Sequence, residues 1–168
     1  NVWLLGVKAS SNQSNGQEIT FGYQGIQYAA KTGAKVISCS WGGLGNSSFD
    51  QESVTYAISK GAIVIVAAGN DNADTGGAAT FFPCANFGTL CIGASNGSDG
   101  KAGYSNYGKH VDIMAPGDLY STIYYGANGQ YTVFNGTSMA TPFVAGVAGA
   151  MYAAYPNLTP AEAAIILK

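Results

Sequence analysis

The first 70 residues alternate between continuous apolar runs and stretches in which apolar residues recur at helical spacing. The continuous runs predict three strands, at residues 2–8, 36–41 and 62–68. Residues 18–31 and 49–60, each followed closely by a glycine, predict two helices. Strands that are apolar on both faces and separated by helices form a parallel sheet with helices on either side. We therefore predict an α/β fold with three layers, α/β/α, around a mostly parallel central sheet.

The second half is divided into short segments by glycine, asparagine and proline. Five segments predict strands, at residues 89–94, 104–107, 111–114, 120–124 and 131–134. Residues 71–79 predict a loop. The stretch Thr137–Ala154 is apolar all round, which predicts a helix buried through the middle of the domain. Thr159-Pro160-Ala161-Glu162 combines a capping box with proline at the first helical position, so we expect a last helix there.

Composition limits the classes of function. With 168 residues, 47% hydrophobic and 10% charged, the chain is long enough and apolar enough for one packed domain. Its net charge of -2 and its lack of a basic cluster argue against nucleic acid as a partner. The longest uncharged apolar run, residues 143–155, is shorter than the roughly 20 residues of a spanning helix, so we predict no membrane span.

Several features favour a secreted, extracellular protein. The chain starts at Asn1 without Met or a basic segment, so we expect a processed product or a piece of something longer. Five asparagines head Asn-X-Ser/Thr sequons: Asn12, Asn46, Asn96, Asn135 and Asn157. Cys84 and Cys91 flank a short stretch and could form a disulfide in an oxidising compartment. Two buried thiols near a strand are an equally good interpretation.

A candidate nucleophile lies in Gly136-Thr137-Ser138-Met139-Ala140, at the start of the predicted buried helix. A serine hydroxyl needs a tight exposed turn, a neighbouring base and donors that stabilise the oxyanion. Gly136 can adopt the conformation of such a turn, and the N–H groups of the helix N-terminus favour negative charge beside Ser138. On these residues alone, capping statistics favour a simple helix cap with no catalytic role.

Longer context reverses that preference. Asn135-Gly-Thr-Ser-Met-Ala-Thr-Pro, followed by Val144-Ala-Gly, closely resembles the nucleophile motif of the subtilisin-like serine proteases (subtilases, peptidase family S8). Three more segments fall in that family's order and spacing: Ser40-Trp41-Gly42-Gly43, Ala67-Ala68-Gly69-Asn70 and Met114-Ala115-Pro116-Gly117. The resemblance covers essentially the whole chain. It implies a subtilisin-like fold whose N-terminal part is missing, with residues 1–168 as one partial catalytic domain, its C-terminal two-thirds.

The resemblance implies a serine endopeptidase in which Ser138 attacks the peptide carbonyl, while Asn70 and the Ser138 backbone N–H hold the oxyanion. Its substrate-binding positions are Ser40, Trp41, Gly42, Gly43, Ala67, Ala68, Gly69, Phe81 and Phe82. Residues 40–43 are expected to pair with an extended peptide or protein substrate as an added strand. The step Phe82-Pro83 matches the family's aromatic-proline step, which implies a cis bond there.

Phe81 and Phe82 lie where the base of the primary specificity pocket is expected. An inward Phe81 ring would make the pocket shallow and favour small residues, whereas an outward ring would admit large apolar ones. The wall segments 40–43 and 67–70 contain no acidic residue, so cleavage after Lys or Arg is not expected.

The chain departs from the family pattern at two points. Phe143 follows the motif's proline where the family usually has histidine, which changes packing rather than chemistry. The family's catalytic Asp and His precede the segment that aligns with Asn1, so we expect them to be absent from this chain. His110 is the sequence's one histidine, but it lies in a strand edge that in relatives is remote from the cleft. We interpret it as a surface residue and not as the base for Ser138.

Two functions of different classes remain. The first is an endopeptidase domain of which this chain is a fragment, inactive alone and associating with its missing N-terminal part or a second copy. The second is a non-catalytic remnant that binds peptides by strand addition or packs against a partner. Retention of both Ser138 and Asn70 favours the first, because a binding module needs neither.

No cofactor is expected. No His, Cys, Asp or Glu cluster in the sequence has the ligand spacing of a zinc site. Subtilases often bind calcium, but the resemblance implies that their strong site uses the upstream portion. Asp99, Asp112 and loop carbonyls in residues 71–86 could supply at most a weak calcium site.

Overall fold

The structure of the protein is a computed structural model, which describes residues 2–14, 18–77, 80–122 and 131–168. Its elements, in chain order, are α1 (Gly22–Lys31), β1 (Val36–Cys39), β2 (Gly43–Leu44), α2 (Ser48–Ser59), β3 (Ile63–Ala67), β4 (Phe81–Phe82), β5 (Leu90–Ser95), β6 (Ile113–Pro116), β7 (Asp118–Thr122), β8 (Tyr131–Asn135), α3 (Thr137–Ala154) and α4 (Pro160–Leu167). The ends of the predicted strand 120–124 and of the predicted loop 71–79 lie outside the described residues.

Four strands form the central sheet, in the order β1-β3-β5-β6, and each neighbouring pair is parallel. β3 is buried along its whole length, as its continuous apolar run predicts. Ile63 and Ile65 pack in a cluster with α3 and α4, whereas Val64 and Val66 pack in a cluster with α1 and α2. The sheet is therefore covered on both faces, and the predicted three-layer α/β/α fold is confirmed.

The predicted strand at residues 2–8 does not form. Within the described residues this segment joins no ladder, and Trp3 and Leu4 are each 96% exposed. Its two ends contact different helix layers, because Val7 lies against Gly25 of α1 and Val2 against Gly149 of α3. An apolar run becomes a strand only where a neighbour completes its hydrogen bonds. β1 is an edge strand of the described sheet, but the segment does not pair with it.

The predicted strand at residues 104–107 is also wrong. The segment is a turn whose backbone bonds to the loop after β3, with Asn72 N donating to Tyr104 O at 2.8 Å. Tyr107 alone forms an isolated bridge, with Asp74. Polar side chains at this point bond to the neighbouring loop, so the segment does not extend the sheet.

Helix α3 has the predicted bounds but not the predicted burial. Its packed face contacts the sheet through Ala140, Val144 and Ala148. On the opposite face, Phe143 is 47% and Val147 44% exposed. The capping box predicted for α4 is present between Thr159 and Glu162. Among the helices of the described chain, none combines the length and apolarity that crossing a membrane requires.

Two small antiparallel pairs shape the edge of the sheet where the parallel strands end. The hairpin β7–β8 leads into α3, and Gly136 N at its end donates to Gly117 O at its start, at 3.0 Å. This bond sets the beginning of α3 beside the end of β6. The second pair joins β2 to β4, with Gly43 opposite Phe82.

Candidate active site

Ser138 lies in the first turn of α3, at the carboxyl edge of the central sheet. Gly136 precedes the helix with φ of 145°, in the region that favours glycine. The Ser138 Oγ donates to Ser40 O at 3.4 Å, and the Ser40 Oγ donates to Ser138 O at 2.9 Å. The candidate nucleophile therefore faces the end of β1, beside N–H groups that have no partner within the helix.

Asn70 follows β3 at the same edge, and Thr137 determines the orientation of its side-chain amide. The backbone N and the Oγ1 of Thr137 both donate to Asn70 Oδ1, each at 2.9 Å. Thr137 Oγ1 in turn accepts from Gly69 N at 3.2 Å. Because the acceptor end of the amide is engaged, Nδ2 is the end that can donate to a ligand beside the Ser138 turn. Sequence reasoning missed this role of Thr137, although the residue lies inside the motif that identified Ser138.

The two predicted wall segments end neighbouring strands, since Cys39 of β1 is the register partner of Val66 of β3. Parallel strands thus deliver both segments to the edge where Ser138 lies. Their side chains do not all face a cleft. The Trp41 ring packs edge-on to Tyr23 of α1, with centroids 5.3 Å apart. Ala67 and Ala68 are buried, so these three positions present backbone rather than side chain to the edge.

The Phe81 ring lies between the two walls. A Cβ added to Gly42 would fall 2.9 Å from Phe81 Cζ, and one added to Gly69 would fall 3.1 Å from the same atom. A Cβ on Gly42 would also meet Phe82 O at 2.6 Å. Of the two orientations considered, the structure has the inward one. The Phe82–Pro83 bond is cis, as expected.

Burial affects two other groups near the site. It raises the pKa of the Cys39 thiol to about 12, so this buried cysteine stays protonated next to Ser40 and does not compete as a nucleophile. Burial is also the main cause of a raised pKa at Tyr104, whose Oη accepts from Gly136 N at 3.0 Å. A neutral Tyr104 therefore supports the turn that precedes Ser138.

His110 is not brought to Ser138. It is half-buried and lies three residues before the start of β6, whose opposite end is the one beside α3. Its backbone N donates to Thr75 Oγ1 at 3.3 Å. The topology thus agrees with the interpretation that His110 is not the base.

Cys84 and Cys91 form a disulfide, with their Cα atoms 5.0 Å apart, which decides between the disulfide and the pair of buried thiols considered for these residues.

No group of three or more His, Cys, Asp or Glu side chains within the described ranges could hold a metal ion. Asp112 pairs with Lys168 at 2.6 Å and accepts from Cys91 N at 2.8 Å. Asp99 lies in a separate exposed turn. A weak calcium site at these carboxylates and the loop carbonyls of residues 71–86 stays a prediction.

Comparisons with known proteins match this geometry. The model of the subtilase family, peptidase S8, matches residues 1–168. Thermitase of Thermoactinomyces vulgaris is 41% identical over 147 residues, 87% of this chain and 50% of that protein. Subtilisin E of Bacillus subtilis (strain 168) is 35% identical over 160 residues, 95% of this chain and 41% of that protein.

Solved structures give the same result. A cold adapted subtilisin-like serine proteinase has a TM-score of 0.75 at 35% identity, over 84% of this chain and 50% of its own. A protease from Pseudoalteromonas arctica PAMC 21717 has a TM-score of 0.80 at 34% identity, over 87% of this chain and 50% of its own. The chain spans about half the length of the relatives it matches. With this family match over its whole length, the chain belongs to the subtilase family of serine peptidases.

Proposed function

We propose that this chain is the part of a serine endopeptidase that carries the nucleophile and the oxyanion hole. The Ser138 Oγ bonds to the peptide carbonyl carbon while a histidine outside this chain, oriented by an aspartate, takes its proton. The peptide C–N bond breaks as that proton passes to the leaving amine, and water then hydrolyses the acyl-enzyme. Asn70 Nδ2 and the Ser138 N–H stabilise the oxyanion.

The observation that carries the proposal is the pair of hydrogen bonds from Thr137 to Asn70 Oδ1. With both donors on Oδ1, the free end of the Asn70 amide is the donor Nδ2, at the N-terminus of α3. A preorganised donor beside a helix N-terminus is what stabilises a developing oxyanion most. Ser138, at the same helix N-terminus, supplies the Oγ whose attack on the substrate carbonyl would create that oxyanion.

The substrate is proposed to be a peptide or protein that lies along residues 40–43 as an added strand. The Phe81 ring between Gly42 and Gly69 supports a shallow primary pocket, and hence cleavage after small residues. The walls carry no acidic side chain, so Lys and Arg are not favoured at that position.

The chain alone is proposed to have no useful activity and to associate with the upstream part of its domain, or failing that with a second copy. Trp3 and Leu4 are almost fully exposed, β1 is an edge of the described sheet, and α3 exposes Phe143 and Val147. Exposed apolar surface next to a free strand edge favours pairing with another chain.

We also propose that the protein is secreted. The Cys84–Cys91 disulfide supports this location, since disulfides persist mainly in oxidising compartments.

A second function, a non-catalytic peptide-binding remnant, is favoured by one observation: the structure brings no histidine to Ser138 within the part of the chain that it describes.

The deciding experiment treats the complete protein, including its upstream portion, with a fluorophosphonate that reacts only with an activated serine. We expect mass spectrometry to find the label on the peptide that contains Ser138, and no label in the Ser138→Ala variant. A folded complete protein that binds peptides but takes no label would establish the remnant instead.

A further inference from the structure

The turn at residues 104–107 crosses beside the loop that carries Asn70. Asn106, the third of its four residues, is only 2% exposed, so its polar groups must be satisfied within the protein. Neither the predicted strand nor the family resemblance assigned a role to Asn106.

All of the polar groups of the Asn106 side chain, and its backbone N, bond to the backbone of the Asn70 loop. Two bonds precede Asn70: Asn106 N donates to Gly69 O at 3.0 Å, and Nδ2 donates to Ala68 O at 2.8 Å. Two follow it: Asn106 Oδ1 accepts from Asp71 N at 2.9 Å and from Ala73 N at 3.0 Å. The four bonds therefore bracket Asn70 on both sides.

Packing reinforces these bonds. Gly69 has φ of 99°, and a Cβ at this position would overlap Asn106 Nδ2, so the glycine allows the two segments to approach closely. The same turn reaches the nucleophile, because Tyr104 Oη accepts from Gly136 N. One short segment thus contacts both the oxyanion loop and the turn before Ser138.

We infer that Asn106 is a positioning residue for the oxyanion donor Asn70. It touches no substrate; it fixes the backbone of residues 68–73, from which the Asn70 side chain extends. An oxyanion donor acts only within a narrow range of distance, and a displacement of about 1 Å can cost on the order of 10²-fold in rate. This inference rests on the proposed function.

The test compares Asn106→Ala with Asn86→Ala in the complete protein. Asn86 is a matched control, since it is also buried and bonded through both ends of its amide, to Tyr23 and Asn46, away from Ser138. Both variants should lose thermal stability. We expect only Asn106→Ala to lower kcat, by about 10- to 100-fold with KM changed less than about threefold, under conditions where both are folded.

A double-mutant cycle separates positioning from general destabilisation. In an Asn70→Ala background the further change Asn106→Ala should leave kcat nearly unaltered, because its effect acts through Asn70. If the two losses multiply, or if folded Asn106→Ala keeps the parent kcat, the inference is wrong. Should Asn106→Ala not fold, Asn106→Ser, a neutral variant whose side chain is too short to make all three side-chain bonds, replaces it with the same two outcomes. If Asn70→Ala itself retains full kcat, the proposed function fails first.

Discussion

At the scale of single residues, the candidate site depends on which end of one amide faces Ser138. Turning the Asn70 amide over would direct Nδ2 at the backbone N–H of Thr137, which would then have no acceptor. An unsatisfied buried donor costs about 1–3 kcal/mol, so the observed orientation is strongly preferred. The orientation exists before any substrate binds, which is the property that an oxyanion donor requires.

We predict that Asn70→Ala in the complete protein lowers kcat by about 10² to 10³ with little change in KM, because the donor acts mainly on the transition state. The range is the one known for removal of a single oxyanion-hole donor from a subtilisin. Steady-state kinetics on a peptide substrate measure it. A loss confined to KM would assign Asn70 to ground-state binding instead.

Thr137→Val should lower kcat by about 3- to 10-fold. It removes the Oγ1 bonds to Asn70 and Gly69 but keeps the backbone donor, and one neutral hydrogen bond contributes about 1 kcal/mol. Thr137→Ser, which keeps the hydroxyl, should retain the kcat of the parent. Thr141→Val is the matched control, because Thr141 is equally buried on α3 but donates only to Thr137 O. Equal rate losses in the two valine variants would contradict the role given to Thr137.

Phe81→Ala should shift cleavage from small residues towards large apolar ones by about tenfold or more, since an emptied pocket accepts the added side chain. Profiling a peptide library that varies the residue before the cleaved bond measures the change. Phe87→Ala, at a ring that is 87% exposed, should leave the profile of the parent intact. A parent that already prefers large apolar residues would show that the ring moves aside.

At the scale of helices and strands, sequence pattern predicted elements best where burial alone decides them. β3 and α3 were predicted closely, because continuous apolar runs and small residues determine how they pack. The prediction of a strand at residues 2–8 was wrong because an apolar pattern indicates a strand but does not show whether a neighbouring strand is there to pair with it. The prediction of a strand at residues 104–107 was wrong because the side-chain hydrogen bonds of Asn106 to another loop leave no periodic pattern in the sequence. The direction of the Phe81 ring, likewise, depends on two distant glycines.

Removing the disulfide, with Cys84→Ser and Cys91→Ser together, should lower the free energy of unfolding by about 2–3 kcal/mol. This follows from the entropy of closing a short loop, here with a sequence separation of 7. Denaturant unfolding of the complete protein measures the loss. The reduced parent should match the double variant, and an unchanged midpoint in both would show that the bond contributes nothing.

At the scale of the whole molecule, the chain holds the proposed nucleophile Ser138 and the proposed oxyanion donor Asn70, but it exposes apolar surface and a strand edge of the described sheet. We predict that the purified 168-residue chain does not turn over casein and is not a stable monomer. Without a base the Ser138 hydroxyl stays protonated and weakly nucleophilic. Protease assays with mass-verified chain, and analytical ultracentrifugation, test both parts; ordinary turnover or a monomer at high concentration would contradict them.

The edge position of β1 in the described sheet also has a consequence for symmetry. Two copies that joined through β1 about a twofold axis would pair these strands antiparallel, so the shared sheet would change direction at its centre. An upstream segment is not bound by that symmetry and can add to β1 in the parallel sense of the existing sheet. The direction of strand pairing at residues 36–39 therefore distinguishes the two assemblies. Antiparallel pairing indicates a dimer of this chain, and parallel pairing indicates association with the upstream segment.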